Sequence, residues 1–348
     1  MRIPWLSVGA VAASIVAVSI IAVKNVAGYT PHHILNVSYD PTRELYQKIN
    51  PAFAAAYLKQ NGETVGVRQS HGGSSYQARQ VATGKQIADV VTLGLPSDLE
   101  GLVKRGLIGA DWRERLPNRA QPYYSTLLFV VRKGNPRHIA DWPDLIQPDV
   151  EVIIPDPKTS GNGKLAVLAA WGSVIARGGS EAEARDFVKT LFNHAPFLSP
   201  GARTAGVAFA VEKKGDVNVA WENEGLREVA ESKGALEIVY PPISILAEPA
   251  VAWVDANVAK NKSLALSKAY LEYLFSDEAQ EIIAKEGYRP FKKEIADRHA
   301  GRLPPLNLFP ITLVAKDWAD AQQKFFAENG ILDTFYTAKA PVDSDIIR

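Results

Sequence analysis

Four short loops in this chain place glycine, serine and other small polar residues just ahead of segments that can form helices. The first N–H groups of a helix have no partner within it, and the helix dipole adds a partial positive charge at that end. Several such ends that meet at one point can therefore bind an oxyanion without any lysine or arginine. The loops are residues 38–41 (SYDP), 70–74 (SHGGS), 158–163 (KTSGNG) and 201–203 (GAR). They predict one anion site if the fold brings them together.

Residues that would add a chemical reaction to such a site are missing from the sequence. Residues 161–164 (GNGK) resemble a phosphate-binding loop, but the first glycine is absent at the required spacing and Leu165 replaces the serine or threonine. No Gly-x-Ser-x-Gly, His-Glu-x-x-His or calcium-loop pattern occurs. Glu222 and Glu224 could form an acid–base pair, but no nucleophile lies near them in the sequence. We therefore predict that the protein is not an enzyme and has no catalytic residue, no metal and no cofactor.

Strands and helices alternate along the chain, which predicts an α/β fold with mostly parallel sheets. Short apolar strands are expected at residues 34–38, 65–69, 88–93, 151–154 and 217–221. Asp40 and Pro41 form a good start for the first helix, and a later helix is expected from Lys164 to Ile175. Ligands of such sheets bind at the carboxyl ends of the strands, which is where all four loops lie.

Two long β-rich stretches, residues 123–132 and 243–254, suit strands that cross between two lobes. Two crossings imply a first lobe interrupted by a second, with a cleft between them. We expect residues 32–121 and about 250–348 in lobe 1, and residues 122–249 in lobe 2. The part from Leu303 onward contains an amphipathic helix with Trp318 and Phe325, and we expect it to pack on the outside of lobe 1 with a loose end after Ala338.

The composition excludes several other classes of protein. The 348 residues include no cysteine, which removes disulfides, zinc–thiolate sites, iron–sulfur clusters and cysteine nucleophiles. The formal net charge is only +1, so binding of nucleic acid through bulk charge is not expected. A chain of this length can bury a full core and is long enough for two domains.

Residues 1–28 have the pattern of an export signal. Arg2 supplies a positive start, residues 8–23 are small and aliphatic throughout, and Val26, Ala27 and Gly28 offer small residues for cleavage. The apolar run of about 16 residues also leaves open an uncleaved membrane anchor, although it is slightly short for a spanning helix. In either case the following residues are expected beyond a membrane, in the periplasm.

The chain resembles the sulfate-binding proteins of bacterial ABC importers in a series of runs that covers nearly all of residues 34–330, in order and with compatible spacing. The runs are residues 36–46 (NVSYDPTRELY), 69–74 (QSHGGS), 88–93 (ADVVTL), 131–136 (VRKGNP), 157–161 (PKTSG), 168–172 (LAAWG), 220–224 (AWENE) and 244–249 (SILAEP). The resemblance implies a two-lobed periplasmic-binding-protein fold of type II, with a mostly parallel sheet flanked by helices in each lobe and the ligand cleft between them. It also implies a monomeric, extracytoplasmic protein that binds dehydrated sulfate and delivers it to a membrane permease.

In that family the sulfate is bound by main-chain N–H groups, a serine hydroxyl and an indole N–H. Matched motif by motif, the resemblance implies as donors the main-chain N–H groups of Asp40, Ser74, Gly161, Asn162 and Ala202, the Ser160 hydroxyl and the Trp221 indole. Relatives often have a second glycine where this chain has Asn162, whose N–H can still serve. The Asp40 carboxylate has to face away from the anion, where it could cap its helix or pair with Arg203.

A site made only of donors suits an anion that carries no proton. Sulfate is such a dianion near neutral pH, whereas hydrogen phosphate would be left with a poorly satisfied O–H. Thiosulfate is close to sulfate in charge and shape, so the sequence leaves it open, together with molybdate or phosphate. Two functions of a different class also stay open: a membrane-tethered sulfate sensor and, as an enzyme, a sulfo- or phosphotransferase.

Overall fold

A computed structural model describes residues 32–336 of the chain. The expected export signal or anchor at residues 1–28, and the expected loose end after Ala338, lie outside the described residues. Over residues 32–336, none of the helices has the length and the apolar character that a membrane span requires.

The strands, in chain order, are β1 His32–Tyr39, β2 Val65–Gly72, β3 Val90–Leu93, β4 Tyr123–Tyr124, β5 Leu127–Arg132, β6 Val152–Pro155, β7 Leu198–Ser199, β8 Val217–Trp221, β9 Leu236–Val239, β10 Ser244–Ile245, β11 Ala250–Trp253, β12 Arg289–Pro290 and β13 Leu308–Phe309. The α-helices are α1 Arg43–Asn61, α2 Ser74–Ala82, α3 Pro96–Val103, α4 Gly161–Ile175, α5 Glu181–Asn193, α6 Ala202–Ala210, α7 Glu222–Glu231, α8 Asp255–Asn261, α9 Leu264–Tyr273, α10 Asp277–Lys285, α11 Lys293–Arg298 and α12 Trp318–Ala321. Pro117–Ala120 form a single short turn, in which Asn118 and Arg119 have left-handed dihedrals.

The first lobe is built on a sheet with the strand order β11-β3-β1-β2. Strand β1 is parallel to both β2 and β3, while β11 returns antiparallel on β3. Asp40 directly follows β1, and Ser74 lies two residues beyond the end of β2. Because the carboxyl ends of parallel strands lie at one edge of a sheet, these two residues come together there.

The second lobe is built on a sheet with the order β7-β6-β8-β5-β9. Strand β6 is parallel to β7 and β8, whereas β5 is antiparallel to β8 and β9. The loop before Ser160 follows β6, Ala202 follows β7, and Trp221 is the last residue of β8. The parallel strands therefore direct all three toward the same edge, as they do in the first lobe.

Two of the stretches of chain that join the lobes in residues 32–336 run side by side. Strand β4 pairs with β12 in the first lobe, and after two residues the chain continues as β5 in the second. The main chains of Ser125 and Ala247 exchange two hydrogen bonds, from Ser125 N at 3.0 Å and from Ala247 N at 2.9 Å. The two crossings are thus tied to each other between the lobes.

Most of the buried apolar side chains from Phe309 onward join the core of the second lobe, while α12 packs on α3 of the first lobe, so this segment contacts both lobes and not lobe 1 alone. The rings of Trp171 and Phe325 meet edge to face with centroids 5.0 Å apart, and the Phe309 ring lies directly against Gly172. Helix α4 is buried along nearly all of its length. A helix that is apolar on every side has to be buried on its outer face as well as on the face against the sheet. The C-terminal segment covers the outer face of α4. The other boundaries between the lobes stay a prediction.

Candidate functional site

The four glycine- and serine-containing loops meet between the lobes. A β-carbon on Gly161 would lie 3.1 Å from the Cβ of Ser74, so the loop before α4 touches the start of α2. A β-carbon on Gly73 would collide with the carbonyl oxygen of Thr159, and one on Gly201 would collide with the Asp40 carboxylate. Glycine is therefore required at Gly73 and Gly201 by the close approach of the opposite lobe.

Main-chain donors point out of the helix ends at this meeting point. Asp40 opens a short 3₁₀ turn that leads into α1, Ser74 opens α2, Gly161 and Asn162 open α4, and Ala202 opens α6. Within residues 32–336, the N–H groups of these residues donate to no protein acceptor. Each lies in the first turn of its helix, where the chain offers no partner. They are the main-chain groups that the sequence predicted as donors, and their role as ligands stays a prediction.

Two side chains add donors of the same kind. Ser160 is the N-cap of α4, yet its hydroxyl makes no capping bond, and its side chain is buried. Trp221 is also buried, and its ring packs on Tyr39 with centroids 5.3 Å apart. Neither the Ser160 hydroxyl nor the Trp221 indole N–H has an acceptor in the described part of the chain, although buried tryptophans usually find one. Both remain available to a ligand.

The side-chain donors of Ser74 and Asn162 are already occupied, whereas Asn162 Oδ1 has no partner in residues 32–336. The Ser74 hydroxyl donates to Asp98 Oδ2 at 2.6 Å and accepts from Gly94 N at 2.9 Å. The Asn162 side chain donates to the carbonyl oxygen of Val219 at 2.9 Å. This leaves the main-chain N–H groups of both residues as the donors, and the role of Asn162 as a ligand stays a prediction.

The Asp40 carboxylate is neither a helix cap nor a partner of Arg203, which corrects the two expected arrangements. Its nearest cation is Arg43, at 3.7 Å, and no capping bond forms at this turn. Burial raises the pKa of Asp40, although the charges of Arg43 and Arg203 act in the opposite direction. Arg203 does not pair with Asp40 because its guanidinium is already bound to Glu44 and Glu224.

Charged side chains near the loops are neutralised by one another. Arg203 donates to Glu44 across the cleft, at 3.0 and 2.7 Å, and also reaches Glu224. Lys164 pairs with the buried Asp98 at 3.2 Å, again across the cleft. Burial lowers the pKa of His71 to about 4, so this imidazole is neutral at physiological pH. The donors at the meeting point are therefore neutral groups, and the charged side chains around them form ion pairs, except for the Asp40 carboxylate beside Gly201.

The two glutamates considered as an acid–base pair have structural partners. Glu222 is fully buried and accepts from Arg289 Nε at 2.6 Å and from Nη2 at 2.7 Å. Glu224 pairs with Arg203 and Arg227. In residues 32–336, no group of three or more His, Cys, Asp or Glu residues could hold a metal ion. Both glutamates are therefore held in ion pairs that support the fold.

Several contacts that shape the site could not be read from the sequence. The Pro41 carbonyl accepts from Tyr288 at 2.6 Å and from Asn223 of the second lobe at 3.1 Å, which fixes the turn at Asp40. Tyr76 N donates to the Thr159 carbonyl at 3.1 Å, again between the lobes. These partners lie far apart in the chain, and the only sequence signal is the position of Asn223 directly after Trp221 and Glu222.

Comparison with known proteins finds a matching family and similar binding proteins. The family model of the bacterial extracellular solute-binding proteins matches residues 34–289. The chain is 48% identical over 302 residues to the sulfate-binding protein of Salmonella typhimurium, covering 86% of this chain and 92% of the relative. It is 43% identical over 313 residues to the thiosulfate-binding protein of Pseudomonas aeruginosa, with 89% and 94% covered. Among solved structures, it is similar to the sulfate-binding protein SubI from Mycobacterium tuberculosis, with a TM-score of 0.77, 31% identity, and 85% and 99% covered.

Proposed function

Because the chain belongs to the bacterial extracellular solute-binding proteins, and within them to the family of sulfate- and thiosulfate-binding proteins, we propose that it binds sulfate in the cleft between its lobes. In this proposal the sulfate is held without its water shell and is delivered unchanged to the membrane permease of an ABC importer. The fold is the two-lobed type II architecture of periplasmic binding proteins.

The observation that carries the proposal is the set of unpaired donors at the meeting point of the lobes. The proposed ligand groups are the N–H groups of Asp40, Ser74, Gly161, Asn162 and Ala202, the Ser160 hydroxyl and the Trp221 indole N–H. A dianion in a water-poor cleft needs many donors to replace its hydration, and hydrogen bonds to a charged group are stronger than those between neutral groups. Affinity in the micromolar range corresponds to about −8 kcal/mol, which such a set can supply after desolvation.

The donors come from both lobes, so the ligand itself links the lobes. Asp40 and Ser74 belong to the first lobe and the other proposed donors to the second. A bend at the tied crossings, near Ser125 and Ala247, would open the cleft and separate the two groups of donors. Sulfate then stabilises the closed form because only that form offers every donor at once.

Thiosulfate is the second candidate, and one observation favours it: the chain is 43% identical to a thiosulfate-binding protein over nearly its whole length. Molybdate and phosphate fit less well. The protonated form of phosphate needs an acceptor, and the donor set provides none.

The finer parts of the proposal concern partners and location. We place the protein in the periplasm, exported through residues 1–28, where it acts as a monomer that docks on a membrane permease and performs no turnover. If residues 1–28 stay attached as an anchor, the same site would serve a tethered sulfate sensor.

Calorimetric titration of the ligand-stripped protein with sulfate, thiosulfate, molybdate and phosphate tests the proposal. We expect one-to-one binding of sulfate and no heat with phosphate at neutral pH. Binding of phosphate with equal affinity would contradict a site made only of donors. Preference for thiosulfate over sulfate would select the second candidate.

A further inference from the structure

The C-terminal segment contacts the loop that leads into α4. We call residues 156–162 the ligand loop, because it carries Ser160, Gly161 and Asn162. Asp333 forms an ion pair with Lys158 of this loop, and the Tyr336 hydroxyl donates to Asp156 Oδ2 at 2.9 Å. The Lys158 ammonium also lies 5.4 Å from the centre of the Tyr336 ring.

Asp156 in turn sets the shape of the ligand loop. Its Oδ1 accepts from Lys158 N at 2.7 Å. Its carbonyl oxygen accepts from Thr159 N at 3.1 Å and from Ser160 N at 2.8 Å. A side chain that fixes Asp156 therefore also fixes the peptides immediately before Gly161 and Asn162.

The C-terminal segment, which contacts Asp156 and Lys158, is itself packed against the second lobe. Leu332 is fully buried in the core of the second lobe, and the ring of Phe335 packs on Phe192 with centroids 6.0 Å apart. The second oxygen of Asp333 accepts from Asn329 N at 2.9 Å, which fixes the carboxylate in place. The contact thus joins the ligand loop to a segment that is packed into the core of the second lobe.

The first lobe holds the ligand loop from the opposite side. Arg79 donates to the Lys158 carbonyl at 2.9 Å, and Tyr76 N donates to the Thr159 carbonyl. Both contacts span the cleft, so they are lost when the lobes separate. The contacts from Asp333 and Tyr336 lie within the second lobe and persist in the open form.

We propose that Asp333 and Tyr336 are positioning residues that keep the ligand loop in its binding shape while the cleft is open. The inference rests on the proposed function, since it concerns the same donors. A loop that is already ordered loses less conformational freedom when the anion arrives, so the affinity is higher than for a mobile loop.

The test uses the full chain with Tyr336→Phe, Asp333→Asn and the double variant. We expect each single change to raise the sulfate Kd about three- to tenfold and the double change to raise it more. In the ligand-free protein, we expect the amides of Thr159 and Ser160 to exchange with solvent about tenfold faster. Asp333→Glu, which keeps the charge, should restore most of both effects.

A matched control removes another ion pair of the C-terminal segment. Lys324 pairs with Glu181 on α5, away from the ligand loop, so Glu181→Gln should change neither the Kd nor the exchange of the loop. A purely structural role for Asp333 and Tyr336 would lower the denaturation midpoint and leave the native-state Kd unchanged, and that result would overturn the proposal.

Unchanged exchange of Thr159 and Ser160 in the double variant would also overturn it, whatever the affinity. Exchange is measured without ligand, so this result is separate from the proposed function. If the parent protein failed to bind sulfate, only the proposed function would be refuted, and faster exchange would still support the ordering of the loop by Asp333 and Tyr336.

Discussion

Arg203 and Glu44 face each other across the cleft, with the guanidinium donating to both carboxylate oxygens at 3.0 and 2.7 Å. Arg203 directly follows Ala202, and Glu44 lies in the first turn of α1, just after Asp40. Burial alone would raise the pKa of Glu44, but the hydrogen bond and charge of Arg203 outweigh it and lower the pKa. The cation closest in sequence to the proposed ligands is thus committed to carboxylates.

We therefore expect Arg203→Gln to weaken sulfate binding by about fivefold at most, because a partly exposed ion pair contributes about 1 kcal/mol or less. Calorimetric Kd values for the variant and its parent provide the measurement. Arg227→Gln is the control, since Arg227 forms its ion pairs with Glu224 and Glu231 of its own helix. A loss of more than about a hundredfold in Arg203→Gln would mean that a cation, and not neutral donors, holds the anion.

The two side-chain donors allow a direct test of the site. Ser160→Ala and Trp221→Phe should each cost about 1.5–3 kcal/mol of sulfate binding, the range for a hydrogen bond to a charged group. Ser173→Ala, in the same helix as Ser160 but bonded to the Ala170 carbonyl, and Trp253→Phe, bonded to Asp255, are the matched controls. Equal sulfate affinity in the two site variants and their controls would remove Ser160 and Trp221 from the ligand set.

Glu228 should make stability depend on pH. Burial raises its pKa to about 8, with the nearby Glu224 adding to the shift, while Asn218, Arg227 and Arg203 oppose it. A carboxyl that is protonated in the folded state and ionised in the unfolded state stabilises the fold at low pH, and that stability is lost as the pH rises through the folded pKa. The contribution of Glu228 to the free energy of unfolding of the ligand-free protein should therefore fall between about pH 5 and pH 8, while the lowered pKa of His71 acts in the opposite direction below about pH 6.5.

Urea denaturation at a series of pH values measures this slope. Glu228→Gln should flatten it, whereas Glu231→Gln, which changes an exposed neighbour in the same helix, should not. A slope that persists unchanged in Glu228→Gln would assign the pH dependence to other groups.

The C-terminal segment should contribute strongly to the stability of the second lobe. Phe325 is fully buried against Trp171, so Phe325→Ala should lower the free energy of unfolding by about 3–5 kcal/mol. Phe326→Ala, at the neighbouring and only partly buried ring, is the control and should cost clearly less. Comparable small effects of both changes in denaturation experiments would mean that the segment only lies on the surface.

Much of the site could be predicted because its residues stand at positions with a local signature. Asp40 precedes a proline at a helix start, and Ser160 precedes glycine at another. Such signatures place N–H groups at helix ends without any knowledge of tertiary contacts. The predicted start of α4 at Lys164 was late, since the helix begins at Gly161, and this brings Gly161 and Asn162 into its first turn.

What depended on distant contacts could not be predicted. The amphipathic pattern around Trp318 and Phe325 indicates a buried face but does not say which lobe covers it. Pro51 lies inside α1, yet the helix continues to Asn61. Gln47 and Pro51 both lie on the exposed side of that helix, so water can satisfy the carbonyl that the proline leaves unpaired.

The paired hydrogen bonds between Ser125 and Ala247 restrict how the lobes can move. Two connections tied at one point cannot slide past each other there, so we expect the lobes to rotate about this point and not to shear. With rotation about this point, the size of the anion bound between the lobes sets the angle between them. We expect an anion with a longer bond than sulfate to leave the cleft slightly more open. The relative position of the outer surfaces of the two lobes would then differ between the two anions.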